Sequence, residues 1–127
     1  MIENELSKKI IGAAIEVHKN LGPGLLESVY EEALCHELHM MKIAFSRQRN
    51  IPIQYKGIKL SSDLRLDLMI ANKVIVEVKA KEKLSKIDKP QLLSYLKLSN
   101  KRLGLIINFH SRLLREGIYR IVNNLPE

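Results

Sequence analysis

Leu64-Arg65-Leu66-Asp67-Leu68-Met69-Ile70-Ala71-Asn72-Lys73-Val74-Ile75-Val76-Glu77-Val78-Lys79-Ala80 is the stretch on which the fold of this chain turns. Its two halves alternate strictly between apolar and other residues, the period of a β-strand. In the first half the leucines and Ile70 are expected on one face, with Arg65, Asp67 and Met69 on the other. In the second half Val74, Val76 and Val78 face one way, and Ile75, Glu77 and Lys79 the other. Each strand therefore carries its charge on a single face.

A face bearing Arg65, Asp67, Glu77 and Lys79 has two readings. It can be an exposed sheet surface laced by cross-strand ion pairs, or it can be a site. Register separates them. A two-residue turn at Asn72-Lys73 would set Asp67 opposite Val78, so that Asp67 and Glu77 project from opposite sides. A three-residue link, Ala71-Asn72-Lys73, or a β-bulge sets Asp67 opposite Glu77 and Arg65 opposite Lys79. The sequence is expected to adopt the three-residue link. Two carboxylates and a few waters are what Mg²⁺ takes from a protein, the remaining positions going to phosphate oxygens. Such an ion polarises a phosphodiester and activates water. Lys79 is then placed to neutralise charge on the phosphate or to orient the attacking water. A general-base role suits a lysine poorly, since at a reference pKa of ~10.4 only about one copy in 2,500 is neutral at pH 7.

Outward from this hairpin, Leu6, Ile10, Ala13, Ala14, Val17 and Leu21 recur at helical spacing and predict a helix from about Glu3 to Asn20, stopped by Gly22-Pro23-Gly24. A second helix is expected from about Leu25 to Met41, with Leu26, Val29, Tyr30, Ala33, Leu34, Leu38 and Met41 on a broad apolar face. Glu27 and Glu31 sit near its positive end, where acids are favoured by the helix dipole alone. Phe45 to Tyr55 alternates as a strand, and Lys56-Gly57 reads as a turn. Pro90 suits a first helical turn, and Leu92, Leu93, Leu96 and Leu98 support a helix to about Lys101. Leu103 to Phe109 reads as a buried strand, and Gly117 to Val122 alternates weakly as a last one. Helix, helix, strands, helix, strand, strand is an α/β (α+β) order, a central mixed sheet flanked by helices.

Composition bounds the rest. With 127 residues and no internal repeat or linker, a single domain over residues 1–127 is expected. No window is apolar over the ~18 residues of a membrane span, and the start, MIENELSKK, has no secretory pattern, so a cytoplasmic location without membrane partners is the default. The one cysteine, Cys35, cannot form an intramolecular disulfide and reads as a small buried hydrophobe. Cys35, His36 and His39 crowd one stretch of helix, but zinc wants four ligands and only His110 follows. No Gly-rich phosphate loop with its Lys-Ser pair is present. The net charge of +7 and pI near 9.6 are compatible with a nucleic-acid partner, although the basic residues are spread along the whole chain.

Asp67 followed by Glu77-Val78-Lys79 resembles the motif of the PD-(D/E)XK nuclease superfamily. Gly24-Leu25-Leu26-Glu27-Ser28-Val29-Tyr30 is similar to the pattern of its GxxExxY branch. Further matches are His18, Gly22-Pro23-Gly24, Tyr55-Lys56-Gly57, Gln91 through Tyr95-Leu96, Gly104 through Asn108-Phe109, and Gly117-Ile118, so the likeness runs in order along almost the whole chain. The resemblance implies a restriction-endonuclease-like core and a Mg²⁺- or Mn²⁺-dependent nuclease acting on nucleic acid, DNA in the first instance. It implies Asp67 and Glu77 as metal ligands, Lys79 as the catalytic lysine and Glu27 as the helix acid that reaches the metal or its waters. It further implies Gln91 and Tyr95, four apart on one helix face, as a Q-x-x-x-Y element beside the active site, with Gln91 in a catalytic role. His18 is implied as an additional ligand, although a histidine near the end of an amphipathic helix also serves structure; Tyr30 reads as core. One departure is Asp88, where the family usually has His in the stretch before Gln91. The alternative function is a catalytically silent nucleic-acid-binding or interaction module on the same fold. A homodimer is compatible with the small size.

Overall fold

Turn chemistry sets the order of the strands in the computed structural model, which describes residues 1–126. Lys56 and Gly57 take φ values of 48° and 82°, the paired left-handed conformations of a turn whose twist matches the strands it joins. They link β1 (Phe45–Tyr55) to β2 (Ile58–Ile70) as one antiparallel hairpin. β2 thus begins at Ile58, six residues before the alternating stretch that the sequence displays, because pairing with β1 holds the polar run Lys59 to Asp63 extended. The next link is the three-residue one expected: Ala71 and Asn72 are left-handed, and β3 (Val74–Lys79) returns with Ile70 opposite Val74, Met69 opposite Ile75 and Leu68 opposite Val76.

β3 runs parallel to β4 (Leu103–Asn108), so the chain must cross over between them. The crossover is α3 (Asp88–Ser99), ended by Asn100 in the left-handed region. β5 (Ile118–Val122) follows a short 3-10 turn, Leu114–Gly117, and pairs antiparallel with β4. The five strands lie in the order β1-β2-β3-β4-β5 as one mixed sheet. Its helices make it the α+β arrangement expected of a restriction-endonuclease-like core.

Two apolar clusters hold the layers together. α1 (Glu3–Leu21) and α2 (Glu27–Met40) contribute Leu6, Ile10, Tyr30, Leu34 and Leu38 to a core with Leu68, Ile70, Val74, Val76 and Val78. On the opposite sheet face, Leu92 and Leu96 of α3 pack with Leu66, Met69, Ile75 and Ile106. A Cβ on Gly104 would meet the Leu92 side chain at 2.9 Å, so the glycine is what lets α3 approach β4 this closely.

Two expectations about faces are corrected. The apolar stripe of α2 is narrower than the sequence suggests: Leu26 is 73% exposed, and Val29 and Met41 are also exposed, since a helix offers one stripe to a sheet and Tyr30, Leu34 and Leu38 occupy it. Leu98 of α3 is likewise exposed. Leu66 does not share the face of Leu68 and Ile70 but joins the α3 cluster with Met69. The alternation of β2 changes phase at Asp67, the residue at which its pairing with β3 has ended. Among the described residues no helix is long and apolar enough to cross a membrane.

Candidate active site

One step beyond the last β2–β3 pair, the same register places Asp67 across from Glu77. There the two side chains replace the ladder. The Asp67 N–H donates to Glu77 Oε2 at 2.9 Å, and the Val78 N–H donates to Asp67 Oδ2 at 2.9 Å. Each carboxylate thus ties down the other's strand, which fixes both acids while the strands part. The exposed-face reading fails at this point, because Glu77 is only 7% exposed.

Burial first, and then the neighbouring Asp67 charge, push the Glu77 carboxyl up to about 8; the Asp67 N–H and the Lys79 charge oppose this. Burial also raises Asp67, against the pull of the Val78 N–H, with Glu31 adding to the rise and Lys79 opposing it. Both acids are therefore held where the charged form is costly. One oxygen of each carboxylate is committed to a backbone N–H, and among the described residues no buried side-chain oxygen or nitrogen lacks a partner.

The second wall comes from α2. Glu27, Ser28 and Glu31 line a cavity of about 230 Å³ together with Gln48, Asp67 and Val78. The turn before α2 explains how Glu27 arrives there. Gly24 has a φ of 97° that side chains rarely adopt, and the buried Tyr30 hydroxyl donates to the Gly22 carbonyl at 2.5 Å and accepts from the Leu25 N–H at 3.0 Å. Tyr30 also stacks on Phe109, with ring centroids 4.6 Å apart. Tyr30 is core, as expected, and its hydroxyl also sets the entry of α2. The helix begins at Glu27 itself, two residues later than the sequence suggests.

Glu31 is the site residue that sequence reading missed. It is 6% exposed; Oε2 accepts from Arg47 Nη2 at 2.9 Å, and Oε1 from Gln48 Nε2 at 2.8 Å. Its i, i+4 spacing from Glu27 puts both acids on one helix face, which is the signal that was available. Gln48 reaches it from a left-handed backbone position, φ 49°, inside β1. Such conformations persist where surrounding contacts over-determine them.

Lys79 ends β3 opposite Asn108, half-buried, and among the described residues its ammonium makes no ion pair within 4 Å. Asn108 is a second missed residue. It is 3% exposed, donates to the Lys81 carbonyl at 2.9 Å and accepts from the Lys81 N–H at 3.1 Å, holding the chain that leaves Lys79. Tyr95 is half-buried on α3, packed against the α3 apolar cluster; burial raises its phenol, and the Glu77 and Asp67 charges raise it further. Gln91, one turn earlier, is exposed.

Asp88, at the departure from the family pattern, is taken up by structure: it accepts from the Ser85 N–H at 2.7 Å and pairs with Lys81 at 2.6 Å. His18 is not gathered with the acids. Its Nε2 lies 2.7 Å from the Ser111 carbonyl, and its ring faces Phe109. His36 and His39 are exposed while Cys35 is buried, so they do not converge.

What can this arrangement hold? A buried glutamate whose carboxyl is raised by a half-buried aspartate, with two further acids on α2 beside that aspartate, forms a site whose charge a cation relieves; Asp67 and Glu77 fit such an ion as a two-carboxylate set. Among the described residues no three His, Cys, Asp or Glu side chains converge as a ready-made metal cluster. The sequence model of the PD-(D/E)XK nuclease superfamily matches residues 4–121, a span that takes in every one of these side chains. No curated protein and no solved structure matches the chain.

Proposed function

The chain belongs to the PD-(D/E)XK nuclease superfamily, and from that premise we propose that it is a Mg²⁺- or Mn²⁺-dependent nuclease of the GxxExxY branch, hydrolysing DNA. The observation that carries this reading is the pair of half-buried Asp67 and buried Glu77, brought together by the Ala71–Lys73 link and crossed by their hydrogen bonds to opposite strands. A single surface acid would carry no such reading, since it gains nothing from a cation that water does not already supply.

In this proposal Asp67 and Glu77 hold the ion, and Glu27 meets it or its waters from the rim of the cavity. When bound, the ion polarises the phosphodiester and makes water a better nucleophile. Lys79 neutralises the charge that builds on the phosphate as the P–O bond breaks. Tyr95, whose phenol feels the charges of both acids, orients the phosphate or the incoming water, and Gln91 serves substrate from its exposed position on the same helix face. Glu31 does not need to touch substrate: with Arg47 and Gln48 it fixes the α2 wall against β1.

Plasmid nicking tests the proposal. Wild type should nick in Mg²⁺ or Mn²⁺ and stop on chelation, and Glu77→Ala and Lys79→Ala should each lose activity by two orders of magnitude or more, as loss of a main electrostatic group does. Calorimetry of Mn²⁺ alone should show binding to wild type and none to Asp67→Asn. Duplex binding without cleavage under all metals would overturn the reading and identify a silent binding module.

A further inference from the structure

From Leu66 outward β2 has one neighbour only. Its pairs with β3 span Leu68 to Ile70, whereas those with β1 continue through Ile51 opposite Leu64 and Pro52 opposite Asp63 and, past a register shift between Pro52 and Gln54, to Tyr55 opposite Ile58 at the turn. Residues 49–65 therefore form a two-stranded arm grown from the strand that carries Asp67. A ribbon of this kind is marginal in water without a covering layer. Here only Ile51, Ile53 and Leu64 are half-buried, Ile51 against the α3 cluster, and every other side chain of the arm is exposed.

Two features mark the exposed part as a surface for a partner. Its charges are Arg49, Lys56, Lys59 and Arg65 against Asp63 alone. Its tip is apolar and aromatic as well, with Tyr55 56% and Ile58 60% exposed, and the Lys56 ammonium lies 5.4 Å from the Tyr55 ring centroid. Edge protection accounts for the lysines and for Pro52, but it would not place Tyr55, Ile58 and Leu60 in water. A cationic ribbon with an apolar tip matches a polyanion that offers a groove.

We propose that this arm docks duplex DNA by entering its major groove, an inference that rests on the nuclease reading of the site at its root. B-form DNA admits a two-stranded ribbon in that groove, while the deep, narrow major groove of A-form RNA does not. Because the register shifts between Pro52 and Gln54, the arm runs six steps along β1, from Arg49 to Tyr55, against eight along β2, from Leu66 to Ile58, about 20–26 Å at ~3.3 Å per step and within the ~34 Å of one helical turn. Lys56 and Lys59 then contact phosphates within about one turn of the phosphodiester that lies at Asp67 and Glu77. Tyr55 and Ile58 lie against base edges.

Fluorescence anisotropy of a labelled duplex in chelator tests this without any cleavage. Lys56→Ala/Lys59→Ala should bind at least tenfold more weakly than wild type at low salt. Its plot of log affinity against log salt should flatten by about 1.8, at ~0.9 for each phosphate no longer neutralised. Lys56→Arg/Lys59→Arg should restore binding. Lys8→Ala/Lys9→Ala, which removes the same charge from exposed positions on α1, should bind within twofold of wild type. The same sequence as duplex RNA should bind at least tenfold more weakly than the DNA. Wild-type affinity and slope in the Lys56/Lys59 alanine variant, with an unchanged circular dichroism spectrum, would overturn the inference. So would equal losses in the Lys8/Lys9 variant, or equal binding of duplex RNA. The two readings fail separately. Arm-dependent binding by a wild type that never nicks keeps the arm and removes the nuclease; nicking with arm variants that bind normally does the reverse.

Discussion

A glutamate that is 7% exposed beside a second carboxylate keeps its proton to a higher pH than it would in water, and Glu77 is pushed up to about 8 by burial and then by Asp67. The sign of the consequence is fixed. Because the folded chain holds this proton more tightly than the unfolded one, the associated stability is present below about pH 4.5 and is lost as pH rises through about 8. A carboxyl displaced that far carries on the order of a few kcal/mol. Glu77→Gln keeps an acceptor for the Asp67 N–H and removes the ionisation, so the metal-free variant should be more stable than wild type at pH 8 and nearly equal to it at pH 5. Urea melts at the two pH values check this; a variant less stable at pH 8 would remove the electrostatic account. Cys35 is a second residue whose setting is measurable. Burial pushes its thiol up to about 11, and the thiolate is the reactive form. Iodoacetamide at pH 8 should label it at least a hundredfold more slowly in the native chain than in urea, read by mass spectrometry, and rapid native labelling would contradict its place in the core.

At the scale of elements the decisive piece is the Ala71–Lys73 link. Deleting Asn72 restores the two-residue turn, slips β3 by one position and turns every side chain of one strand to the opposite sheet face. The outcome expected is a chain that fails to fold cooperatively or, if folded, loses Mn²⁺ binding; a variant with native stability and native metal affinity would show that register does not build the site. Tyr30→Phe leaves the stacking on Phe109 but strips the hydroxyl from the Gly22 carbonyl and the Leu25 N–H. It should cost about 1–3 kcal/mol in denaturant melts, the range for buried polar groups left unpaired. These elements also show what a sequence discloses. The Lys56-Gly57 turn and the three-residue link were legible because each is a local contest between turn geometry and strand period. The first half of β2 was not, since Lys59 to Asp63 has no apolar alternation and is strand only through β1. Glu31 could be seen beside Glu27 but not given its role, because Arg47 and Gln48 reach it from another element. Leu66 was assigned to the wrong face because alternation continues by default, whereas its break at Asp67 comes from the parting of two strands.

Over the whole molecule, the acids occupy the place where the sheet splits and where α2, β2, β3 and α3 all converge, so relief of their charge acts on the fold and not only on the site. An ion that binds the folded chain alone stabilises it by about 2.7 kcal/mol at a concentration 100 times its Kd. For a domain of this size that amounts to roughly 10 °C in Tm, at about 4 °C per kcal/mol. Proton and metal compete for Glu77, so apparent affinity should fall by up to about tenfold for each pH unit below about 8. Thermal melts with Mn²⁺ should therefore show a shift of that size at pH 8 that shrinks toward zero at pH 5.5. Asp67→Asn and Glu77→Gln should abolish it at both pH values. Gln91→Ala, at an exposed position, should leave it intact while reducing cleavage, which separates holding the ion from handling the substrate. A shift of equal size at pH 5.5 and pH 8, or one that survives in Glu77→Gln, would place the ion elsewhere on the chain and detach Asp67 and Glu77 from metal binding.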